Sequence, residues 1–380
     1  MCMQQPENSG KNYISGNKII VQEFYRMGGK NISAFKTALS FAGCFLGAGF
    51  VSGQELFQFF LSFGAWGILG LFVAIALLVL FGTIVFEIVQ KTGEVQVDKV
   101  ICGEKFLPLR RTIAFLEMFF MFGVFVIMAS GAGTLLNSMF GINYGIATAL
   151  FCLAAIPAVL IGISSMVTIF SAVVPLISAF ICIAGIFALK TPDAVRFSAL
   201  NTPNNNVLLN NWLISAIVYV SYNMFAGIPI IIPLATVSKK GKKGAFACAL
   251  GGMVLFLIAL SIAVLMAKDP ASKNYDLPML EVFKSLNIYV SYVYAILLMC
   301  AMFSAGTSSL ISANEYIKDK FLKNAKGNHP IIIITVIIIL LAWVLTLFGF
   351  ANLVGTVYPV CGYFGFIVLA LLISKLFKKE

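Results

Sequence analysis

Ten apolar runs, each about as long as a membrane-crossing helix, follow one another along the 380-residue chain. They lie at about 34–63, 67–89, 112–136, 144–163, 167–189, 212–237, 245–267, 288–312, 330–350 and 352–375. A helix needs roughly 20 apolar residues to cross about 30 Å of hydrocarbon, and continuous runs differ from the short alternating strands of a membrane β-barrel. A hydrophobic content of 60%, a charged content of 11% and a mean hydropathy of +0.99 exclude a soluble or disordered chain. The sequence therefore predicts an all-α integral membrane protein with ten transmembrane helices.

The basic residues indicate how the chain is oriented in the lipid bilayer. Twenty of the 26 Lys and Arg residues lie in the N-terminal tail, in the loops after spans 2, 6 and 8, and at the C-terminus, whereas five lie in the loops of the other side. Because basic residues concentrate on the cytoplasmic side, both termini are predicted to be cytoplasmic, which requires an even number of spans. This distribution accounts for the net charge of +11 without a nucleic-acid partner.

Residues suited to catalysis or to binding transition metals are scarce. The chain has one histidine, His329, in a predicted loop, and six of its eight cysteines lie inside apolar runs without a CxxC spacing. Such cysteines behave as small buried residues, and one histidine leaves little basis for a zinc, haem or histidine-based catalytic site. The sequence therefore predicts a protein that is not an enzyme and needs no cofactor.

Spans 1 and 6 contain residues that interrupt helices. Span 1 has four glycines in the segment SFAGCFLGAGFVSG (40–53), and span 6 has Gly227, Pro229 and Pro233. Glycine loosens a helix and proline removes a hydrogen-bond donor, and unwound backbone at membrane depth is tolerated where it lines a buried or watery site. One such segment is equally compatible with close helix packing. Two segments five spans apart favour discontinuous helices 1 and 6 that form a binding site.

Spans 3 and 8 extend the similarity between the two halves of the chain. SGAGT (130–134) and SAGTSS (304–309) follow the interrupted spans at similar distances. Because each half has an odd number of spans, the halves have opposite orientations, which is the 5+5 inverted repeat of a secondary transporter. The predicted division is a cytoplasmic tail at 1–33, a first repeat at 34–189, an extracellular loop at 190–211, a second repeat at 212–377 and a cytoplasmic C-terminus at 378–380.

With these features the sequence resembles the LeuT-type fold of the amino acid–polyamine–organocation superfamily, and in particular the YkvI family of bacterial membrane proteins, over about residues 34–377. The resemblance implies a location in the bacterial plasma membrane and alternating access, with a small-molecule solute held between spans 1, 3, 6 and 8. A homo-oligomer is compatible with these features but does not follow from them.

The resemblance also implies particular site residues. The solute would contact residues near the two breaks and one residue of span 3, namely Leu46, Gly47, Ala48, Gly49, Ser130, Tyr222, Asn223, Phe225, Ala226 and Gly227. Na⁺ would be bound by the carbonyls of Gly43, Leu46 and Ser304 and the hydroxyls of Thr307 and Ser308. Neutral carbonyls and hydroxyls suit this hard cation. Span 5 lacks the lysine of proton-coupled relatives, which favours sodium coupling.

Glu55 is an unusual residue because it lies well inside the outer end of span 1. A carboxylate within a membrane span faces a cavity or an ion pathway in most cases, so Glu55 is a candidate for pairing with a solute ammonium, for carrying a proton or for lining the outer vestibule. The alternative is a buried, hydrogen-bonded anchor of the helix. Sodium-coupled amino-acid transporters of the superfamily often have a gating arginine in this stretch, which is absent here.

We expect a Na⁺-coupled symporter for a small zwitterionic solute, an amino acid or a related amine. The alternatives are a nutrient receptor with the same fold and a proton-coupled or uncoupled exchanger that uses Glu55.

Overall fold

The computed structural model describes residues 33–103, 107–161, 163–191, 195–202, 206–238, 241–321 and 329–377. Nearly all of the predicted N-terminal tail and the C-terminus at 378–380 lie outside these residues. The described chain forms α-helices joined by short turns: α1 Ala34–Gly43, α2 Ala48–Val51, α3 Gln54–Phe59, α4 Ala65–Thr92, α5 Val97–Cys102, α6 Leu107–Phe140, α7 Tyr144–Ile161, α8 Ile163–Lys190, α9 Phe197–Leu200, α10 Trp212–Val237, α11 Lys242–Lys268, α12 Pro278–Leu286, α13 Ile288–Phe321, α14 His329–Thr346 and α15 Phe350–Phe377.

The first predicted span is interrupted, as its glycines indicate. The Ser33 side chain caps the N-terminus of α1, the helix ends at Gly43, and regular helix resumes at Ala48. The structure adds a second interruption at Ser52–Gly53, where Gly53 has a φ of 83°. This left-handed conformation favours glycine because a Cβ would approach the following carbonyl. The outer half of span 1 therefore consists of the two short helices α2 and α3.

The predicted interruption of span 6 is wrong, because α10 is one continuous helix that contains Pro229 and Pro233. A proline removes the hydrogen bond to the carbonyl four residues earlier, and its ring crowds that carbonyl, but packing can hold the surrounding turns in place. Most residues of α10 are buried, and Ser221 Oγ donates a 2.6 Å hydrogen bond to the Gly362 carbonyl of α15. Tertiary contacts therefore maintain a helix that its local sequence disfavours.

Helix α10 lies at the centre of the structure. It packs against α4 and α15, while α6 packs against α13 and α1 packs against α11. Ser215 Oγ of α10 donates a 2.6 Å hydrogen bond to the Phe59 carbonyl at the end of α3. These contacts bring the interrupted span 1, α6, α10 and α15 together around one interior region.

Six helices, α4, α6, α10, α11, α13 and α15, are long and apolar enough to cross a membrane within the described residues. Three shorter apolar segments, Tyr144–Pro157, Pro175–Lys190 and Ile332–Thr346, lie where spans 4, 5 and 9 are predicted. This arrangement fits a multi-pass membrane protein. The number of ten crossings, the orientation of the termini, the inverted repeat and the domain boundaries stay predictions.

Candidate functional site

The break in span 1 leaves backbone oxygens without helical partners. The Gly43 carbonyl accepts a 3.3 Å hydrogen bond from the Leu46 amide, which closes a tight turn. The next three carbonyls, those of Cys44, Phe45 and Leu46, accept no hydrogen bond from the described residues. Phe45 and Leu46 are buried and Cys44 is half-buried, so the segment lies largely within the protein. A cation is a suitable partner for such carbonyls.

Two of the three predicted sodium ligands on α13 are buried. Ser304 and Thr307 are both fully buried, and Ser308 is half-buried. The Thr307 hydroxyl donates to the Phe303 carbonyl at 2.6 Å and also approaches the Ser304 carbonyl at 3.3 Å. Because its proton points to the helix backbone, this hydroxyl can present its lone pairs to a cation. The chemistry of these donors, carbonyls and hydroxyls without a thiolate or imidazole, fits Na⁺.

Helix α13 also contacts the outer part of span 1. Tyr294 Oη donates a 2.7 Å hydrogen bond to the carbonyl of Val51, the last residue of α2. Ser304 follows Tyr294 by ten residues, which corresponds to about 15 Å along an α-helix. Span 8 therefore contacts the outer part of the interrupted span 1.

Glu55 lies in the interior, where α3 approaches α10. Its exposed fraction is 3%, and its Oε1 accepts a short hydrogen bond from the Tyr222 hydroxyl. Its Oε2 lies beside Gly49, where a Cβ built on that residue would be 2.8 Å from the oxygen. The carboxyl group therefore lies against the segment predicted to contact the solute.

Aromatic rings surround this carboxyl group. Tyr222 stacks on Tyr358 of α15 with 4.8 Å between ring centroids and an interplanar angle of 8°. Phe120 of α6 contacts both tyrosines, at 6.3 and 6.2 Å, and the Phe225 ring lies 5.9 Å from that of Phe120. We call Phe120, Tyr222, Phe225 and Tyr358 the aromatic cluster. It joins α6, α10 and α15 next to Glu55.

The structure brings several other predicted site residues to the same region. Gly227 faces the break, since a Cβ there would be 3.0 Å from the Phe45 ring, and Ala226 next to it is half-buried. Asn223 is buried, but its Nδ2 donates a 3.0 Å hydrogen bond to the Tyr219 carbonyl of its own helix. Gly47 is half-buried, and Ala48 is buried.

Ser130 has other partners. Its Oγ is 2.6 Å from the Tyr144 hydroxyl and 3.5 Å from the Thr346 carbonyl. These contacts connect α6 to α7 and α14, and its role as a solute ligand stays a prediction.

Sequence reasoning missed Phe120 and Tyr358, which complete the aromatic cluster. Neither residue belongs to a glycine-rich or hydroxyl-rich segment, and phenylalanine and tyrosine are common throughout the chain. The only local signal is Pro359, which follows Tyr358 in the middle of a span. Aromatic residues at such positions are indistinguishable from packing residues until the fold is known.

Comparison with solved structures identifies the fold. MhsT, solved in complex with L-phenylalanine, superimposes with a TM-score of 0.64 at 19% identity over 92% of this chain and 90% of MhsT. A Na⁺-coupled sialic acid symporter, in a substrate-bound outward-open state, gives 0.57 at 15% identity over 96% of this chain and 85% of the symporter. The chain thus has the LeuT fold, which confirms the resemblance drawn from its sequence.

A relative found by sequence comparison agrees with the resemblance drawn in the sequence analysis. The "uncharacterized membrane protein YkvI" of Bacillus subtilis (strain 168) is 25% identical over 348 residues, which cover 90% of this chain and 96% of YkvI. No family model matches the chain.

Proposed function

We propose that the protein is a secondary active transporter that couples the Na⁺ gradient to uptake of a small zwitterionic solute, an amino acid or a related amine. In this proposal ten spans form two inverted repeats of five across the bacterial plasma membrane, with both termini cytoplasmic. The main support is the break between α1 and α2, where three consecutive carbonyls accept no hydrogen bond from the described residues. The likeness to MhsT and to the Na⁺-coupled sialic acid symporter agrees with this function.

The proposed sodium site lies between the break and α13. The carbonyls of Gly43, Leu46 and Ser304 and the hydroxyls of Thr307 and Ser308 would replace the hydration shell of the ion. All five ligands are neutral, so the site carries no charge when it is empty. Because the ligands belong to two separate parts of the fold, bound Na⁺ favours the conformation in which these parts are close together.

Coupling follows from this preference. An ion that binds one conformation more tightly than another shifts the population by its difference in affinity. The solute would bind beside the break, at Gly47, Ala48 and Gly49 of span 1 and around Phe225 of α10. Occupation of both sites stabilises a closed state, and the loss of Na⁺ to the cytoplasm then releases the solute.

Uptake into proteoliposomes under an imposed Na⁺ gradient tests this proposal. The double variant Thr307→Ala with Ser308→Ala removes two ligands and is expected to raise the Na⁺ concentration for half-maximal uptake at least about tenfold. Ser312→Ala is the matched control, because this exposed hydroxyl on the same helix donates to the Ser308 carbonyl and is not a proposed ligand. Uptake that ignores the Na⁺ gradient, or a double variant that matches the control, would contradict sodium coupling.

A proton-coupled exchanger is the second candidate, and Glu55 favours it. A buried carboxyl group that lacks a basic partner can bind and release a proton during transport. Uptake driven by a pH gradient in the absence of Na⁺, and abolished in Glu55→Gln, would select this function over sodium symport.

A further inference from the structure

Helix α5, between spans 2 and 3, is packed against the helices that carry the aromatic cluster. It lies on the side predicted to be cytoplasmic, and its Val100 and Ile101 are each only 1% exposed. It packs against α4, α6, α10 and α15. The last three of these helices supply the rings of the aromatic cluster. The loop after span 2 is therefore part of the buried core and not a free surface segment.

The contacts of α5 place it on the cytoplasmic side of the aromatic cluster. Arg110, which contacts α5, precedes Phe120 by ten residues of α6, or about 15 Å. Lys375, which also contacts α5, follows Tyr358 by 17 residues of α15, or about 25 Å. A solute that leaves the proposed site toward the cytoplasm passes between the same helices and meets α5.

Two polar contacts hold α5 to different helices. Near its start Asp98 pairs with Arg110 of α6, whose Nε donates to Oδ2 at 2.7 Å. Near its end the carbonyls of Lys99 and Val100 accept hydrogen bonds from Lys375 Nζ of α15, at 3.1 and 2.6 Å. Hydrogen bonds from charged groups are stronger than neutral ones, and a cation is favourable at the C-terminus of a helix. Both contacts persist only while α6 and α15 keep their present separation.

A glycine flanks α5 on each side. Gly93, before the helix, has a φ of 69°, and Gly103, after it, has a φ of 71°. Glycine adopts such positive φ values without the strain that a side chain brings. At both positions no described atom lies within 4 Å of a built Cβ. The segment between the two glycines can therefore rotate about them without a clash at either end.

We infer that α5 is a lid over the cytoplasmic end of the solute pathway, that it turns about Gly93 and Gly103, and that Lys375 is the latch that keeps it closed. The inference rests on the proposed function, because it assigns the step at which the solute is released to the cytoplasm. In the closed lid, Val100 and Ile101 are buried between the ends of the surrounding helices.

The two polar contacts differ in when they break. Asp98 and Arg110 are 12 residues apart along the chain, so the lid and α6 stay connected when other helices move. Lys375 is 275 residues from Val100, and its contact is lost whenever α15 moves away from α6. The lid therefore opens on the side of α15.

Native cysteines report on the state of the lid. Cys102 is the last residue of α5 and is half-buried. Cys361 of α15 is buried, one helical turn beyond Tyr358 on the side of α5. Iodoacetamide, a small neutral reagent, alkylates a thiolate that it can reach through water. Cys152, buried on α7, is the internal control for unfolding of the whole protein.

Lys375→Met removes the ammonium group and keeps an unbranched side chain. In the purified full-length protein, we expect alkylation to become at least about tenfold faster at Cys102 and about threefold faster at Cys361, with Cys152 unchanged. Peptide mass spectrometry measures the three rates. The direction at Cys102 is diagnostic, because burial and then Asp98 raise the pKa of its thiol, whereas Lys375 lowers it. Loss of the ammonium group alone would therefore leave less thiolate and slow the reaction.

Further variants separate the latch from a general effect of charge. Lys375→Arg retains a cation and should be alkylated as the wild type is. Lys91→Met is the matched control, because the Lys91 side chain is 77% exposed and pairs with Glu87. If Lys375→Met does not fold, Arg110→Gln releases the other contact of the lid. It should also speed alkylation of Cys102, although Arg110 too lowers the pKa of that thiol.

Three results would overturn the inference. The first is alkylation of Cys102 in Lys375→Met at the rate seen in Lys91→Met. The second is a faster reaction at Cys102 with none at Cys361, since α5 would then close no pathway. The third is an equal acceleration at Cys152, since Lys375 would then stabilise the protein as a whole.

The alkylation experiment requires neither Na⁺ nor a solute, so it fails independently of sodium coupling. Faster alkylation of Cys361 in Lys375→Met, together with uptake that ignores the Na⁺ gradient, would refute sodium symport alone. Na⁺-driven uptake by the wild type, together with an unchanged Cys361 in the variant, would refute the lid alone.

Discussion

Gly53 lies at the turn that directs Glu55 into the interior, and its replacement by alanine should destabilise the protein measurably. Its φ of 83° lies in the left-handed region, where a side chain costs about 1–2 kcal/mol. An added Cβ would also be 2.9 Å from Met279 Cγ and 3.1 Å from Met266 Sδ. Overpacking of this kind costs about 1–3 kcal/mol. We expect a value at the lower end of this range, because flexible methionine side chains can change rotamer.

These terms predict a loss of about 2–4 kcal/mol for Gly53→Ala. For a chain of this size the loss corresponds to a fall of roughly 3–5 °C in the unfolding midpoint. Gly93→Ala is the matched control, because Gly93 has a φ of 69° with no atom within 4 Å of a built Cβ. Gly93→Ala should lose only the stability of about 1–2 kcal/mol that a side chain at a positive φ costs, without a packing clash.

The assay is thermal unfolding of the two purified variants and the wild type in the same detergent. The difference between the variants isolates the packing of Gly53 against the two methionines. Equal midpoints for the variants would refute the packing argument, and a Gly93→Ala midpoint equal to that of the wild type would refute the conformational argument.

Two further outcomes follow from contacts outside the aromatic cluster. Tyr144→Phe removes a hydroxyl that hydrogen-bonds to Ser130 and to the Thr346 carbonyl, both at 2.6 Å, and should lower the free energy of unfolding by about 1–3 kcal/mol. The control Tyr289→Phe, at a residue that is 77% exposed, should change the free energy of unfolding by less than about 0.5 kcal/mol. Denaturant unfolding measures both values. Burial raises the pKa of Asp276, in the loop before α12, so the unfolded chain releases this proton at lower pH than the folded protein. Stability should therefore fall as the pH rises from below the ordinary Asp pKa through the raised one, and Asp276→Asn should abolish that part of the pH dependence in unfolding midpoints measured from pH 3 to 7. An unchanged pH profile in the variant would refute this assignment.

The sequence and the structure agree where local residue chemistry decides the backbone. The glycines at 40–53 predict an interrupted helix, and the break between Gly43 and Ala48 confirms it. The same reasoning failed for span 6, where Pro229 and Pro233 lie within a continuous helix. Intrinsic helix propensity has a small effect on a segment that is packed on several sides. Tertiary contacts, such as the hydrogen bond from Ser221 to the Gly362 carbonyl, have a larger one.

For the candidate sites too, the sequence predicted the segments, and the structure was needed for the contacts. Glycine and hydroxyl patterns, read with the help of a family resemblance, located the segments around Leu46 and Thr307 but not the hydrogen bonds that each oxygen makes. Thr307 donates its proton to its own helix, and three carbonyls at the break accept no hydrogen bond from the part of the chain that the structure describes. Both facts follow from the backbone geometry. Residue order alone does not contain these distances.

By itself the sequence determined that this is a chain of long apolar helices with an interruption in the first of them, because hydropathy and glycine content act over neighbouring residues. It also singled out Glu55, because a carboxylate within an apolar run is costly whatever its partners. Only the tertiary structure decided what that carboxylate contacts. Tyr222 is 167 residues from Glu55 along the chain, and Tyr358 is more distant still. Contacts at such separations depend on how whole helices pack, and here the packing places the carboxylate between a glycine and a group of aromatic rings.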